Sequence, residues 1–185
     1  HGSVSINPDH TLVFTPAPNF FGDATISYTV TDDGSPAESA TGTVTVNVSA
    51  VNDVPVANAD TQGTTEDVAL VFSASLLTGN DSSGPANESS QSLSVTAVSA
   101  ARAQGGTVVL AAGEITYTPP SHFNGSDSFS YTIADDGSPA ESASGTVTVN
   151  VSAVNDAPVD KADTQGDVED VALVFSASLL TGNDS

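Results

Sequence analysis

The chain has 185 residues, with 23 Asp plus Glu, two Lys plus Arg, no cysteine and a formal net charge of −21 at pH 7. Nucleic-acid binding through phosphates needs clustered bases, and Arg102 and Lys161 are the only two; without cysteine there is no disulfide framework, thiolate zinc site or Cys nucleophile. No apolar run reaches the roughly 18 residues of a membrane-spanning helix, so neither a nucleic-acid partner nor membrane insertion is expected. No basic segment leads into an apolar one as a signal peptide requires, and a first residue other than Met points to a fragment or a processed chain.

Hydrophobic content of 38% beside such a charge borders on the composition of disordered chains, but the apolar residues are patterned. In chain order from residue 54, strands are predicted at 55–61, 68–73, 92–99, 107–111, 114–118, 127–133 and 144–152. Phe129, Tyr131 and Ile133 alternate with Ser128, Ser130 and Thr132, and Val147, Val149 and Val151 alternate with Thr146, Thr148 and Asn150. This period of two sends one set inward and the other to water. Ala111-Ala112-Gly113-Glu114 reads as a tight hairpin, and Ser73–Leu77 as one helical turn. No segment sustains a helical period. Short strands separated by Gly, Pro, Asn and Asp clusters indicate an all-β sandwich.

The strongest signal is internal repetition. Val51-Asn52-Asp53-Val54-Pro55-Val56 recurs 103 residues on as Val154-Asn155-Asp156-Ala157-Pro158-Val159. The same offset carries Asp32-Asp33-Gly34-Ser35-Pro36-Ala37-Glu38 onto Asp135–Glu141, and Glu66-Asp67-Val68-Ala69-Leu70-Val71-Phe72 onto Glu169–Phe175. Residues 1–82 map onto 104–185 without a gap. The expected organisation is the C-terminal half of one repeat over 1–53, a complete repeat over 54–153 and the N-terminal part of a third over 154–185. The parent protein is then longer, and neighbouring repeats are partners of each other.

With seven strands alternating in direction, the chain enters the repeat at one end and leaves at the other. The acids gather at loops and at the linkers, whereas the polar strand faces carry Ser, Thr and Asn. Calcium takes six to eight oxygens from carboxylates and carbonyls in flexible geometry, so a calcium site is expected across each joint. Asn52, Asp53, Asn80, Asp81, Asp135 and Asp136 are the candidates at the entry; Glu66, Asp67, Asn155, Asp156, Asn183 and Asp184 are those at the exit. Acidic turns that only solubilise the chain, or suit it to high salt, are the simpler alternative, since Asp and Asn also favour turns through local hydrogen bonds. No EF-hand loop and no glycine-rich nonapeptide is present.

Several motifs together carry a resemblance. Val-Asn-Asp-x-Pro-Val, Glu-Asp, Leu-Leu-Thr-Gly-Asn-Asp, Tyr-Thr-Pro-Pro-x-x-Phe-Asn-Gly-x-Asp-Ser-Phe-x-Tyr and Gly-Thr-Val-Thr-Val-Asn-Val follow in this order from 51 to 151. The chain resembles the cadherin-like, tandem-95 type repeats of large bacterial surface and secreted proteins, RTX adhesins among them. The resemblance implies immunoglobulin-like sandwiches strung in tandem, calcium at the joints, an extracellular location and an adhesive or spacer role. It places Asn155 and Asp156, Glu66 and Asp67, and Asn80 and Asp81 on the family's acidic positions. Two departures are Ser83, where the family often continues Asn-Asp-x-Asp, and Gly22-Asp23-Ala24 in place of Gly125-Ser126-Asp127.

Other chemistry has weaker support. His1, His10 and His122 do not recur at the offset, and His122 reads as a loop residue. No Gly-x-Ser-x-Gly elbow or repeated Ser, His, Asp set appears, so no enzyme is expected. Polysaccharide binding is an alternative resting on the loop aromatics Phe20, Phe21 and Phe123, which equally suit plugging the end of the core. An intramolecular Lys–Asn isopeptide bond through Lys161 is disfavoured, because its counterpart in the preceding copy is Asn58 and a bond essential to the fold would recur. A third alternative is a filament subunit, since half-repeats leave unpaired edges that homophilic strand addition would complete.

Overall fold

A computed structural model describes residues 1–99 and 104–181. Its strands are β1 (Gly2–Ile6), β2 (Leu12–Pro16), β3 (Gly22–Thr31), β4 (Ser39–Val48), β5 (Asp60–Thr65), β6 (Leu70–Ser73), β7 (Ser94–Val98), β8 (Thr107–Ala111), β9 (Glu114–Thr118), β10 (Gly125–Ala134) and β11 (Ser142–Ser152). Short 3-10 turns lie at Ala74–Asn80, Ala86–Glu88 and Ala177–Leu179. The chain is all-β, as the alternation and the β-branched content require.

Strands β5 to β11 form two sheets, one in the order β5-β11-β10-β7 and the other β6-β9-β8. Between them pack Phe72, Leu77, Ile115, Tyr117, Phe129, Tyr131, Ile133, Val147, Val149 and Val151. The alternation in β10 and β11 supplies most of this set, and Phe129 stands opposite Val147 in the antiparallel register. The Tyr131 ring lies across Gly145, where a Cβ would come within 2.5 Å of it. Only glycine leaves that space.

Inward along β10 also lies Asp127, 1% exposed. It accepts from the Tyr117 hydroxyl at 2.9 Å and from the Ser128 amide at 2.8 Å. Burial, followed by this carboxylate, pushes the Tyr117 phenol well above its ordinary range. The hydroxyl therefore stays a donor to the buried oxygen, which would otherwise lack a partner. The β8–β9 hairpin turns through Ala112 and Gly113, both at positive φ, as a two-residue loop requires.

The first strand differs from expectation. Strand pairing was predicted over 55–61, but it runs over Asp60–Thr65, parallel to β11 with Asp60 opposite Val147 and Thr65 opposite Ser152. Pro55 has no N–H to give a ladder, and Val56 makes only an isolated bridge to Ser82. Asn58 is engaged elsewhere, donating its amide to Asp81 and its side chain to the Asn80 carbonyl. The observed strand, Asp-Thr-Gln-Gly-Thr-Thr, carries no apolar alternation, so nothing in its composition marks it. The other six predicted strands are found, with ends shifted by two residues or fewer.

N-terminal to this sandwich, among the described residues, β1 pairs only with β2 and β3 only with β4. These are the sequence counterparts of β8 to β11, 103 residues earlier. Beyond β11, the described residues to 181 contain no strand and are exposed.

Candidate metal sites at the two ends of the sandwich

The parallel pairing of β5 with β11 brings the turn after β5 beside the exit of β11. Glu66 is 5% exposed there. Its amide donates to the Ser152 carbonyl at 2.9 Å, and its carboxylate accepts from the Val154 amide and from Asn124. Asp67 follows at a left-handed φ of 61°, a conformation that Asp tolerates better than most residues. Its Oδ1 accepts from the His122 amide at 3.0 Å. His122 Nδ1 then lies 3.4 Å from Asp67 Oδ2 and 3.5 Å from Asp156 Oδ2. One donor atom from each of the three falls within 4.8 Å of the others. The sequence brought Glu66, Asp67, Asn155 and Asp156 to one end. It did not bring His122, whose counterpart is Asn19; only the shared left-handed φ, 55° and 59°, links the two positions. Asn155 turns its amide to the Asp156 carbonyl at 3.4 Å, and Asn183 and Asp184 lie outside the described residues.

At the entry, the loop after β10 wraps the linker. Asp135 Oδ1 accepts from the Gly137 and Glu141 amides, both at 3.0 Å. The Asn52 side chain donates to both Asp135 oxygens at 3.1 Å and to the Pro139 carbonyl at 3.0 Å. Gln91 Nε2 donates to Asn52 Oδ1 at 2.6 Å, and Asp136 accepts from the Ser92 amide at 2.9 Å. The Asp53 amide donates to Glu88 Oε1 at 2.9 Å. Glu88 was not among the sequence candidates. It is 5% exposed, and its Oε2 has no hydrogen-bond partner; Gln91 Oε1 is likewise unpartnered. Gly84, at a φ of 136°, leaves the space that Glu88 Oε2 fills, since a Cβ there would collide with it. Beside them opens a cleft of about 220 Å³ lined by Phe21, Val51, Asn52, Glu88 and Gln91, among others.

Asn80 and Asp81 were expected to join this set, but their hydrogen bonds go elsewhere. Asn80 donates to the Ala59 carbonyl at 3.1 Å. Asp81 accepts from the Asn58 amide at 2.7 Å and from the Tyr131 hydroxyl at 3.2 Å. The 3-10 turn over Ala74–Asn80 delivers them to the start of β5, and the following turn at Ala86–Glu88 delivers Glu88 to the linker instead.

The carboxylates differ in proton affinity. Burial pushes the Asp135 carboxyl up, but the Glu141 and Gly137 amides and the Asn52 side chain outweigh it and hold the group below its ordinary range. Burial raises Asp60, and the Asp81 charge adds to this against the Tyr131 hydrogen bond. A depressed folded value means stability that is present above the unfolded value, near 3.9, and lost as pH falls through the folded one. Asp60 has the opposite sign: its contribution is present below that value and lost as pH rises. Asp135→Asn is therefore expected to flatten the acid limb of a urea-midpoint profile below about pH 4. Asp60→Asn is expected to flatten the limb above it. An unchanged acid limb in Asp135→Asn would contradict the assignment.

Among the aromatics considered for sugar binding, Phe123 packs against the core, Phe20 stacks on His1 with centroids 4.7 Å apart, and Phe21 is half exposed at the entry cleft.

The chain is similar to several cadherin ectodomain structures. A protocadherin gammaB7 EC3-6 cis-dimer structure shares 24% identity at a TM-score of 0.48, with 89% of this chain and 42% of that one covered. Protocadherin gamma B2 extracellular cadherin domains 3-6 share 19% at 0.46, over 88% and 42%. Mouse cadherin-23 EC22-24 shares 15% at 0.47, over 83% and 50%. The chain thus spans half or less of the length of these structures. No curated protein sequence matches it. The sequence profile of a bacterial Ig domain matches residues 1–48 and again 52–151, and on that match the chain belongs to the bacterial Ig domain family.

Proposed function

We propose that the chain is a stretch of tandem repeats from an extracellular, adhesion-type bacterial protein, acting as a spacer whose joints are stiffened by calcium. The observation that carries this reading is Glu88, a nearly buried carboxylate with one oxygen lacking any donor, held beside the linker amide of Asp53. A buried charge needs a partner, and two basic residues among 185 leave few side chains to provide one. Calcium is held by carboxylate and carbonyl oxygens, and the side chains gathered at this end carry them. Asn52, Asp53, Glu88, Asp135 and Asp136 would hold an ion at the entry, and Glu66, Asp67, Asn155 and Asp156 at the exit. The bound ion supplies positive charge that the side chains lack. The residues themselves fix the linker: Asn52 ties it to the loop after β10, and Glu66 ties Val154 to the turn after β5. Without a cation the gathered carboxylates repel one another and the joints bend more freely.

Small-angle scattering of the chain in calcium and in chelator tests this. A longer maximum dimension with a narrower spread in calcium is expected. Superimposable profiles would reject calcium stiffening.

A further inference from the structure

We propose that the β5–β11 sandwich binds a calcium ion of its own, within one repeat, where the Tyr131 hydroxyl meets Asp60 and Asp81. Oxygen atoms converge at this point. The Tyr131 hydroxyl lies 2.7 Å from the Asn58 carbonyl oxygen, 3.2 Å from both carboxylate oxygens of Asp81 and 3.5 Å from the Leu77 carbonyl oxygen. Tyr131 is 1% exposed. Its hydroxyl has one hydrogen to give, so it satisfies one of these acceptors and leaves the others facing it. Asp81 Oδ1 has the Asn58 amide as a second donor, at 2.7 Å. Asp60 Oδ2 is shut off from solvent and has no hydrogen-bond partner. Burial, followed by the Asp60 and Asp81 carboxylates, pushes the Tyr131 phenol above its ordinary range. The phenol therefore stays neutral and adds no charge of its own.

Two carboxylates, two backbone carbonyls and a phenol oxygen form an all-oxygen set of the kind calcium takes. Its double charge balances the two carboxylates, which otherwise repel each other. Asp81 also lines an open cleft with Thr78, Ser82 and Ser83, through which an ion reaches the site. All these residues belong to one repeat, so the site does not depend on the calcium reading of the joints.

The repetition itself indicates that a positive charge belongs here. One copy on, Asp163 and Asp184 preserve both carboxylates in sequence, and Asn58 becomes Lys161, the only lysine of the chain. The Asn58 side chain donates to the Asn80 carbonyl, next to Asp81. A lysine at that position carries its ammonium toward the same carboxylates. One copy thus holds in its sequence the charge that the other has to bind.

Terbium(III), a luminescent stand-in for calcium, is titrated into the 185-residue chain and its emission excited through tyrosine. The candidate ligands at the joints include no tyrosine, whereas Tyr131 would touch the ion. Saturable emission that calcium displaces is expected. Asp60→Asn is expected to weaken terbium binding by about tenfold or more. Asn58→Lys should weaken it by about a hundredfold or more, because the ammonium repels the ion. Position 58 is exposed and its backbone amide is unchanged, so in chelator this variant should melt no lower than the wild type. Glu88→Gln, at the joint, should keep the emission. Emission that survives both Asp60→Asn and Asn58→Lys overturns the proposal. So does loss of emission in Glu88→Gln, or a lower melting temperature of Asn58→Lys in chelator. The readout is tied to Tyr131, so its failure leaves the scattering test of the joints unaffected.

Discussion

Calcium at about a hundred times its dissociation constant is expected to add about 2.7 kcal/mol to the unfolding free energy of the calcium-free chain. Glu88→Gln is expected to change sign with the metal. In chelator the wild type keeps Glu88 Oε2 buried without a donor, which costs on the order of 1–3 kcal/mol; the amide removes the charge, so the variant should melt at the same temperature or higher. In calcium the variant lacks a carboxylate, binds the ion more weakly and should melt lower than the wild type. Calorimetry of both proteins in chelator and in calcium reads all four values. Magnesium demands a tighter octahedral shell and gives up its waters reluctantly, so it should stabilise less than calcium. If Glu88→Gln destabilises equally in both buffers, the residue has a packing role and the entry site is not a cation site.

Leu77→Ala is expected to cost about 2–5 kcal/mol, whereas Leu180→Ala, at the equivalent position in the repeat, should cost less than about 0.5 kcal/mol in dilute solution. Leu77 is fully buried between the sheets and Leu180 is 41% exposed. Both follow the same Ser-Ala-Ser-Leu sequence in a 3-10 turn capped by a serine, Ser73 or Ser176. Denaturant titration at low protein concentration measures the difference. Equal costs would mean that the tail is already packed in the isolated chain.

Much of the architecture was legible because the physical signal is local. From Phe129 to Ile133 in β10 and from Val147 to Val151 in β11 every second residue is apolar, and a pleated strand can bury only one face. Ala112-Gly113 marked its hairpin because few residues accept positive φ in succession. The exit end of the site was legible too, since an odd number of strands places the turn after the first beside the end of the last. Three features were not. Strand β5 is a polar edge held by backbone pairing with β11, and backbone pairing leaves no trace in side-chain type. Asn80 and Asp81 look like linker ligands by spacing, but Tyr131 and Asn58 claim them through contacts more than 20 residues away in sequence. Glu88 lies among Ser, Asn and Gln, where a single acid is unremarkable; its burial depends on Gly84 and the linker closing over it.

The sequence by itself determined the repeat, the strand pattern and the gathering of acids at the loops, because duplication, pleat and turn chemistry are written residue by residue. The tertiary structure decided which acids share an end, and it placed Glu88 at the entry and His122 at the exit. It also decided which of two equivalent apolar sets is buried. The 103-residue offset makes Tyr28 and Tyr131, or Phe72 and Phe175, interchangeable as letters. Burial is a property of what lies opposite, and only the folded chain shows that β5 and β6 cover the apolar set of β9 to β11.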